Sequence, residues 1–293
     1  MLDVIRFSAI CTIGATLASS TAYAQDFTTV QFPGGVTTIL TGGPNPEGTS
    51  VGDYTDTSGF THGFKLTEGG KFTSFDPPGS AFTTPNFINV EGVIVGGYLD
   101  SGGTSRGFVL KGGEYTTVNF PGAAGTILTG ISPLGEMSGE SCDAPLCNTI
   151  THSFVASREG AFRSFDPPGA ISSSASTVSI TGEVVGAYTD GAGNTHGYVF
   201  AQGTFTTIDV PGAVFTFGGG GNAQGDVVGA YTDADGVSGA FLLSKSVLTT
   251  FQAPGAGTSS GQGSGASGIN IEGTIVGFYV DSAGNVFGFV RTK

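Results

Sequence analysis

The sequence contains no tryptophan, and only ten lysines and arginines are scattered over its 293 residues. Each shortage excludes something. Nucleic acid and anionic membranes call for clustered positive charge, and no Lys/Arg cluster exists here. The balance is acidic, with 23 Asp and Glu giving a formal net charge of −13. Without tryptophan a sugar binder lacks the largest aromatic face available for stacking. No segment after the first two dozen residues is apolar for long enough to span a membrane. None of that chain shows the apolar period of an amphipathic helix, which argues against helical bundles and α/β folds. No H-E-x-x-H motif, P-loop or recognisable triad occurs. Gly257 to Gly261 and Gly263 to Gly268 match the nucleophile-elbow and G-x-G-x-x-G patterns. Both motifs require a strand before and a helix after. Neither context is present, so both matches are accidents of a Gly/Ser-rich tract.

What the chain has in abundance is glycine, 52 residues, and it arrives in register. One series is Gly48, Gly92, Gly135, Gly182, Gly225 and Gly273. A second lies four residues on: Gly52, Gly96, Gly139, Gly186, Gly229 and Gly277. The steps in each are 44, 43, 47, 43 and 48 residues. A period of about 40–50 residues is that of a four-stranded propeller blade. The clearest copy runs from Ile88 to Gly122. Its turn signals and β-branched runs predict strands at Ile88–Val90, Val93–Leu99, Arg106–Leu110 and Tyr115–Phe120. Pro121-Gly122 then ends the unit.

The two ends are complementary. Phe27–Phe32 reads as a fourth strand with no blade before it. Phe287–Arg291 reads as a third strand with no fourth after it. Pairing them completes a last blade and leaves no free sheet edge. The expected fold is therefore all-β: a six-bladed β-propeller of four-stranded antiparallel blades, closed by the N-terminal strand. An open β-solenoid is the alternative.

Residues 1–24 have the pattern of a signal peptide. Arg6 precedes the apolar segment Phe7 to Ala18, and Ala22-Tyr23-Ala24 is an A-x-A cleavage site. The expectation is a secreted or periplasmic, monomeric protein with one domain over 25–293 and no membrane span. Cys11 leaves with the leader. Cys142 and Cys147 then read as a local disulfide in an oxidising compartment. A metal pair is the rival reading, but no second Cys or His pair stands at zinc-ligand spacing.

Three sets of polar residues recur at one end of the repeat. Turns between second and third strands carry Asp56, Asp100, Asp143, Asp190, Asp233 and Asp281. Fourth strands end in Gln31, Asp76, Asn119, Asp166, Asp209 and Gln252, each two residues before a proline. Third strands begin with His62, Arg106, His152, His196, Gly239 and Phe287. Asp at a turn start bonds its own backbone two residues on. The fourth-strand set is suited to tying down the Pro-Gly turn. The histidines point with a core aromatic two residues later, which suits a hydrogen-bonded, half-buried role. The ligand-binding candidates are His62, Arg106, His152, His196, Asp76, Asp166 and Asp209. Asp233 and Asp235 form a weak calcium candidate without a full oxygen ligand set; no other cofactor is indicated. Tyr54, Tyr98, Tyr188, Tyr231 and Tyr279 share a strand face with the second glycine series, so their rings are expected to pack over bare backbone there. Ser141 breaks that series. Ala253–Gly268, the longest irregular stretch, reads as a loop.

Thr61-His62-Gly63-Phe64, Thr151-His152-Ser153-Phe154 and Thr195-His196-Gly197-Tyr198, with Ile88-Asn89 and Ile269-Asn270 before Gly-x-Ile-Val-Gly, carry a family likeness. The chain resembles bacterial extracellular "HAF" repeat proteins, named for His-Ala-Phe. It departs from them in placing Gly or Ser at the middle position and in losing the His from three repeats. The resemblance implies export and a propeller-like array, and brings no activity with it. The functional expectation is a binding module for an extracellular polymer or protein, using the polar end or the central channel. A lyase or hydrolase built on His and Asp, and a calcium-stiffened envelope component, are the alternatives.

Overall fold

The computed structural model describes residues 26–293, so the expected leader lies outside the described residues. Those residues form 24 strands and no helix. β1 (Phe27–Val30) precedes six copies of one pattern. Unit I is β2 (Thr37–Gly42), β3 (Ser50–Thr55), β4 (Thr61–Leu66) and β5 (Phe72–Phe75). Unit II is β6 (Phe82–Ile88), β7 (Ile94–Leu99), β8 (Ser105–Lys111) and β9 (Glu114–Val118). Unit III is β10 (Gly125–Ile131), β11 (Met137–Cys142), β12 (Thr151–Ala156) and β13 (Phe162–Ser164). Unit IV is β14 (Ala170–Val178), β15 (Val184–Asp190), β16 (Thr195–Ala201) and β17 (Thr204–Ile208). Unit V is β18 (Ala213–Gly221), β19 (Val227–Asp233), β20 (Ser238–Ser244) and β21 (Val247–Phe251). Unit VI is β22 (Gly263–Ile269), β23 (Ile275–Val280) and β24 (Val286–Arg291).

Strands within a unit pair antiparallel in sequence order. Unit VI takes its fourth strand from the other end of the chain. β1 pairs antiparallel with β24, with Phe27 opposite Arg291 and Val30 opposite Gly288. Units I, II and III are separate four-stranded sheets. Units IV to VI are joined into one twelve-stranded sheet, but only through single parallel pairs, Thr195 with Phe215 and Ser238 with Gly263.

Apolar burial follows the same order. Six hydrophobic clusters each join one unit to the next. The I–II cluster holds Val51, Ile88, Ile94 and Phe108. The cluster holding Val30, Leu40, Phe64 and Val276 joins unit VI to unit I. Phe64, Phe108, Phe154, Tyr198, Phe241 and Phe289, at one repeat position, are all essentially fully buried. Each such ring contributes about 1.5–3 kcal/mol of transfer free energy.

These rings explain the second glycine series. A Cβ on Gly229 would lie 2.0 Å from the Phe217 carbonyl oxygen and 2.6 Å from the Phe241 ring. Gly52 and Phe64, Gly139 and Phe154, and Gly277 and Phe289 repeat the relationship. The ring over bare backbone is therefore the third-strand aromatic, directly opposite the glycine in register. It is not the second-strand tyrosine, as the shared face suggests. The tyrosine sits two residues further along and turns its hydroxyl to the fourth strand, as Tyr98 does to Thr117 at 2.9 Å.

First strands lie earlier than the apolar runs predict. β6 is Phe82–Ile88, not Ile88–Val90. Asn89 ends it, because its Oδ1 accepts the amides of Glu91 and Val93, both at 3.0 Å, and folds the chain into the hairpin turn. Pro85 is tolerated inside β6, which ladders with β7 alone. For the same reason Ala253–Gly268 is not a loop throughout: Gly263 onward is β22, a first strand built from glycine, serine and alanine.

First strands of all six units line a common central channel, with one cavity at its hairpin end and another towards the opposite end. Side chains bridge neighbouring units around it. Thr41 donates to the Pro85 carbonyl, Asn86 Nδ2 to that of Leu128 at 2.8 Å, and Thr129 to that of Ala175. At the hairpin end the Nδ2 of Asn45, Asn89 and Asn222 reaches the carbonyls of Asn89, Ser132 and Asn270 at 3.3, 3.4 and 3.0 Å.

Candidate functional site: clamped histidines on the polar end

The turn aspartates are built first by their own backbone. Asp56 Oδ1 accepts the amides of Ser58 at 2.8 Å and Phe60 at 3.0 Å. Gly59, with φ +86°, supplies the left-handed residue that closes this turn. Asp100, Asp190, Asp233 and Asp281 make the same two bonds from one oxygen. That leaves Oδ2 facing the start of the third strand.

There the three recurring sets meet within a single unit. In unit I, His62 Nδ1 lies 2.8 Å from Asp76 Oδ2 and its Nε2 lies 3.5 Å from Asp56 Oδ2. In unit IV, His196 Nδ1 lies 2.8 Å from Asp209 and Nε2 3.4 Å from Asp190. In unit III, His152 Nδ1 lies 3.0 Å from Asp166 and Nε2 3.9 Å from Asp143. Unit II replaces the imidazole by a guanidinium. Arg106 Nε donates to Asp100 Oδ2 at 3.0 Å and Nη1 to Asn119 Oδ1 at 3.3 Å. Four consecutive units thus hold a cationic or cation-forming group between two oxygen acceptors. Tyr54 and Tyr188 lie beside His62 and His196, with ring centroids 5.3 and 5.1 Å apart.

The electrostatics follow from the clamp. The Asp76 hydrogen bond, with the Asp76 and Asp56 charges, raises the His62 imidazole above its ordinary value against the cost of desolvation. For His196 desolvation works downward, and the bonds and charges of Asp209 and Asp190 outweigh it. Asp190 is pushed down to about 2, chiefly by the Asn194 amide, with help from the Asn194 side chain and His196. A histidine held on both nitrogens by carboxylates favours the doubly protonated form. It has no free lone pair for general base catalysis. The clusters remain partly open to solvent, His152 exposing 40 % of its side chain and Asp209 51 %.

Units V and VI lack the clamp. Gly239 takes the histidine position in unit V, and a Cβ there would meet the Tyr231 ring at 2.3 Å, so tyrosine fills that place. Gln252 donates to the Ser238 carbonyl at 2.7 Å. In unit VI Phe287 packs beside Tyr279. Asp233 uses Oδ1 on its own turn, accepting the Asp235 and Val237 amides. Among the described residues no group of three or more His, Cys, Asp or Glu stands in a metal-holding arrangement.

The Asp56, Asp100, Asp143 and Asp190 carboxylates belong to the site as well as to their turns. Their sequence signal is the spacing of six residues to His62, Arg106 and His196, lengthened to nine at His152 by the Cys142–Cys147 loop. That loop carries the expected disulfide. Apart from Asp166, the fourth-strand residues do not tie down the Pro-Gly turns; in four units first-strand hydroxyls do, Thr38, Thr126, Thr216 and Ser264 accepting the amides of Phe32, Phe120, Val210 and Ala253 at 2.8–3.2 Å. Where that residue is Pro77 or Pro167 no amide exists, and the hydroxyl turns elsewhere. Ser173 donates to Asp166 Oδ1 and Thr83 to Ser80.

No protein-family model matches the chain, and no curated protein sequence does either. Solved structures do. A protein of Agrobacterium tumefaciens assigned as TolB superposes with TM-score 0.57 at 13 % identity, covering 86 % of this chain and 89 % of that one. A fungal lectin, Aleuria aurantia lectin, described as a six-bladed β-propeller with a novel fucose recognition mode, gives 0.51 at 10 % identity over 90 % and 93 %. A gluconolactonase of Xanthomonas campestris gives 0.52 at 12 % identity over 88 % of each chain. At these identities the likeness shows the fold class alone, a β-propeller, which hosts binders and enzymes alike.

Proposed function

We propose that the chain is a closed six-bladed propeller of the HAF-repeat kind, exported, and that it is a binding module for an extracellular polar polymer, a glycan or a protein segment. Closure is supported by the β1–β24 pairing and by the cluster joining unit VI to unit I. Export is supported by the Cys142–Cys147 bond, which persists in oxidising compartments.

The observation that carries the binding reading is the repetition of one solvated cluster in four successive units. Carboxylates and amide oxygens accept, imidazole and guanidinium donate, and in units I and IV tyrosine offers a flat face beside them. An array of equivalent polar sites suits a ligand that itself repeats, because linked contacts raise the effective concentration of each next one. Double clamping of His62 and His196 weighs against the lyase or hydrolase reading. The fucose recognition of the fungal lectin is in keeping with a propeller used in this way.

The test is a glycan array and pull-down with cell-envelope polysaccharides, using wild type and the His152→Ala/His196→Ala double variant. The reading expects saturable binding that the double variant loses while its fold persists by circular dichroism. Wild type that binds no polymer, or a variant that binds equally well, would overturn it.

A further inference from the structure

The channel mouth opposite the clamped histidines is built of the six hairpins that join first to second strands. Each hairpin sets one apolar residue on the cavity there, whose volume is about 320 Å³: Pro46, Val90, Pro133, Ile180, Ala223 and Ile271. Phe87 lines both this cavity and the one towards the polar end, and so lies between them. Val90, Ile180 and Ile271 leave 42, 47 and 52 % of their surface exposed. Scattered singly, such residues would mean little; gathered around one opening they form a contiguous apolar patch.

The polar groups on this wall are already spent. Oδ1 of Asn45, Asn89, Asn222 and Asn270 accepts turn amides at 2.9–3.0 Å. Nδ2 of the first three donates to carbonyls of neighbouring units. Ser179 Oγ accepts the amides of Thr181 and Glu183. A hydroxyl-rich ligand would lose its hydration here for few new hydrogen bonds, whereas an aliphatic chain gives up only its contact with water.

Charge selects the head group. A second cavity of about 560 Å³ adjoins the first, because Pro44, Asn45, Pro46, Asn270 and Glu272 line both. Glu68 and Glu272 stand together on its wall. Two more carboxylates touch the wall of the first cavity directly: Glu47 Oε2 accepts from Asn45 Nδ2 at 2.7 Å, and Asp226 Oδ2 from Asn222 Nδ2 at 3.1 Å. Among the described residues none of these four forms an ion pair with Lys or Arg; the pair at this end is Lys111 with Glu91, at 3.4 Å. Lys293 lies against Gly273 without pairing with Glu272.

We infer that this mouth is a binding site for an amphiphile with one aliphatic chain and a cationic head. The chain would enter among Val90, Ile180 and Ile271, and the head would lie by Glu272 and Glu68. These carboxylates are solvated, so the chain supplies most of the affinity and the charge sets the preference of cation over anion. The site is at the far end of the channel from the histidine clamps and holds whether or not that rim takes a polymer.

The probe is n-octylammonium below its micellar concentration, titrated calorimetrically into the purified protein at low ionic strength. It should bind saturably. n-Butylammonium should bind about tenfold or more weakly, for want of four methylenes. Octanoate should bind about fivefold or more weakly, with the gap narrowing as salt is added. Ile180→Ser/Ile271→Ser, at two exposed positions, should weaken n-octylammonium by about fivefold or more. Glu68→Gln/Glu272→Gln should keep the chain-length preference and narrow the gap between ammonium and carboxylate, and it carries the test if the isoleucine variant fails to fold by circular dichroism. Titration that does not saturate, affinity indifferent to chain length, octanoate binding as well as the amine, or full affinity in the isoleucine variant would overturn the assignment. So would a dimer in sedimentation that the isoleucine variant abolishes, since the occupant would then be a second copy of the chain.

Discussion

Thr29 Oγ1 and the Tyr279 hydroxyl lie 3.2 Å apart although 250 residues separate them in sequence. They meet because β1 completes unit VI, and that pairing fastens the two ends of the chain. Val30 is the buried member of β1, 6 % exposed, in a cluster with Leu40, Phe64 and Val276. Val30→Asp puts an unpaired carboxylate into that cluster. The expected loss is about 3 kcal/mol or more, or a fall in Tm of roughly 6–12 °C for a chain this size. Thr28→Asp, on an exposed position of the same strand, should cost less than about 0.5 kcal/mol. Equal, small effects in thermal unfolding would show that the fastening does not matter to stability.

A second prediction concerns bare backbone. Gly229→Ala places a methyl 2.0 Å from the Phe217 oxygen and 2.6 Å from the Phe241 ring, so the first strand or the ring must move. Overpacking of this kind costs about 1–3 kcal/mol. Gly191→Ala has nothing within 4 Å and no left-handed backbone. It should be neutral within about 0.5 kcal/mol. Urea unfolding midpoints of the two variants distinguish a packing role for the glycine series from mere turn flexibility.

The clamped histidines make stability depend on pH in a stated direction. His62 and His196 are raised in the folded state, so their contribution is complete below the ordinary imidazole value of 6.5 and fades as pH rises through the folded value. Asp190 is lowered to about 2, so its contribution is present above 3.8 and fades as pH falls towards 2. Tm should therefore hold between these limits and decline on both sides. His62→Gln/His196→Gln should flatten the alkaline decline and leave most of the acid limb, where Asp56, Asp100 and Asp281 are also lowered. Calorimetric scans across that range check it; an unchanged alkaline limb in the double variant would contradict the clamp.

Much of this was legible in the chain, and the reasons for the remainder are physical. Six glycine-marked units and complementary end strands follow from period and turn chemistry, which are local. The pairing of His62 with Asp76, or Arg106 with Asn119, also follows from period once third and fourth strands are laid side by side. First strands were harder to read. β22 is Gly-Ser-Gly-Ala-Ser-Gly-Ile, a composition without β propensity, because close contact between units around the channel leaves little room for side chains. Gly219, whose Cβ would meet the Ala266 oxygen at 2.5 Å, shows the same pressure. Which ring covers Gly52 could not be read from face alternation alone, since the cover comes from Phe64 on the next strand.

The hydroxyl that receives the Pro-Gly turn offers an internal control. Thr216 is 2 % exposed and accepts the Val210 amide at 3.2 Å. Thr216→Val keeps the shape and leaves that buried amide without a partner, which costs about 1–3 kcal/mol. Thr126→Val should do the same to the Phe120 amide, now held at 2.8 Å. Thr83 occupies the equivalent place in unit II, fully buried, but the residue it would receive is Pro77, which has no amide hydrogen. Thr83 bonds only the Ser80 hydroxyl at 3.2 Å, and Ser80 can turn to water instead. Thr83→Val should therefore cost less than about 1 kcal/mol, although it is the most buried of the three. If denaturant midpoints instead rank the variants by burial, with Thr83→Val the worst, the hydroxyls act by packing and not as amide acceptors. If they rank by the presence of the amide, the four hydroxyls that accept one, on Thr38, Thr126, Thr216 and Ser264, are the device that sets where those fourth strands stop and the next unit begins.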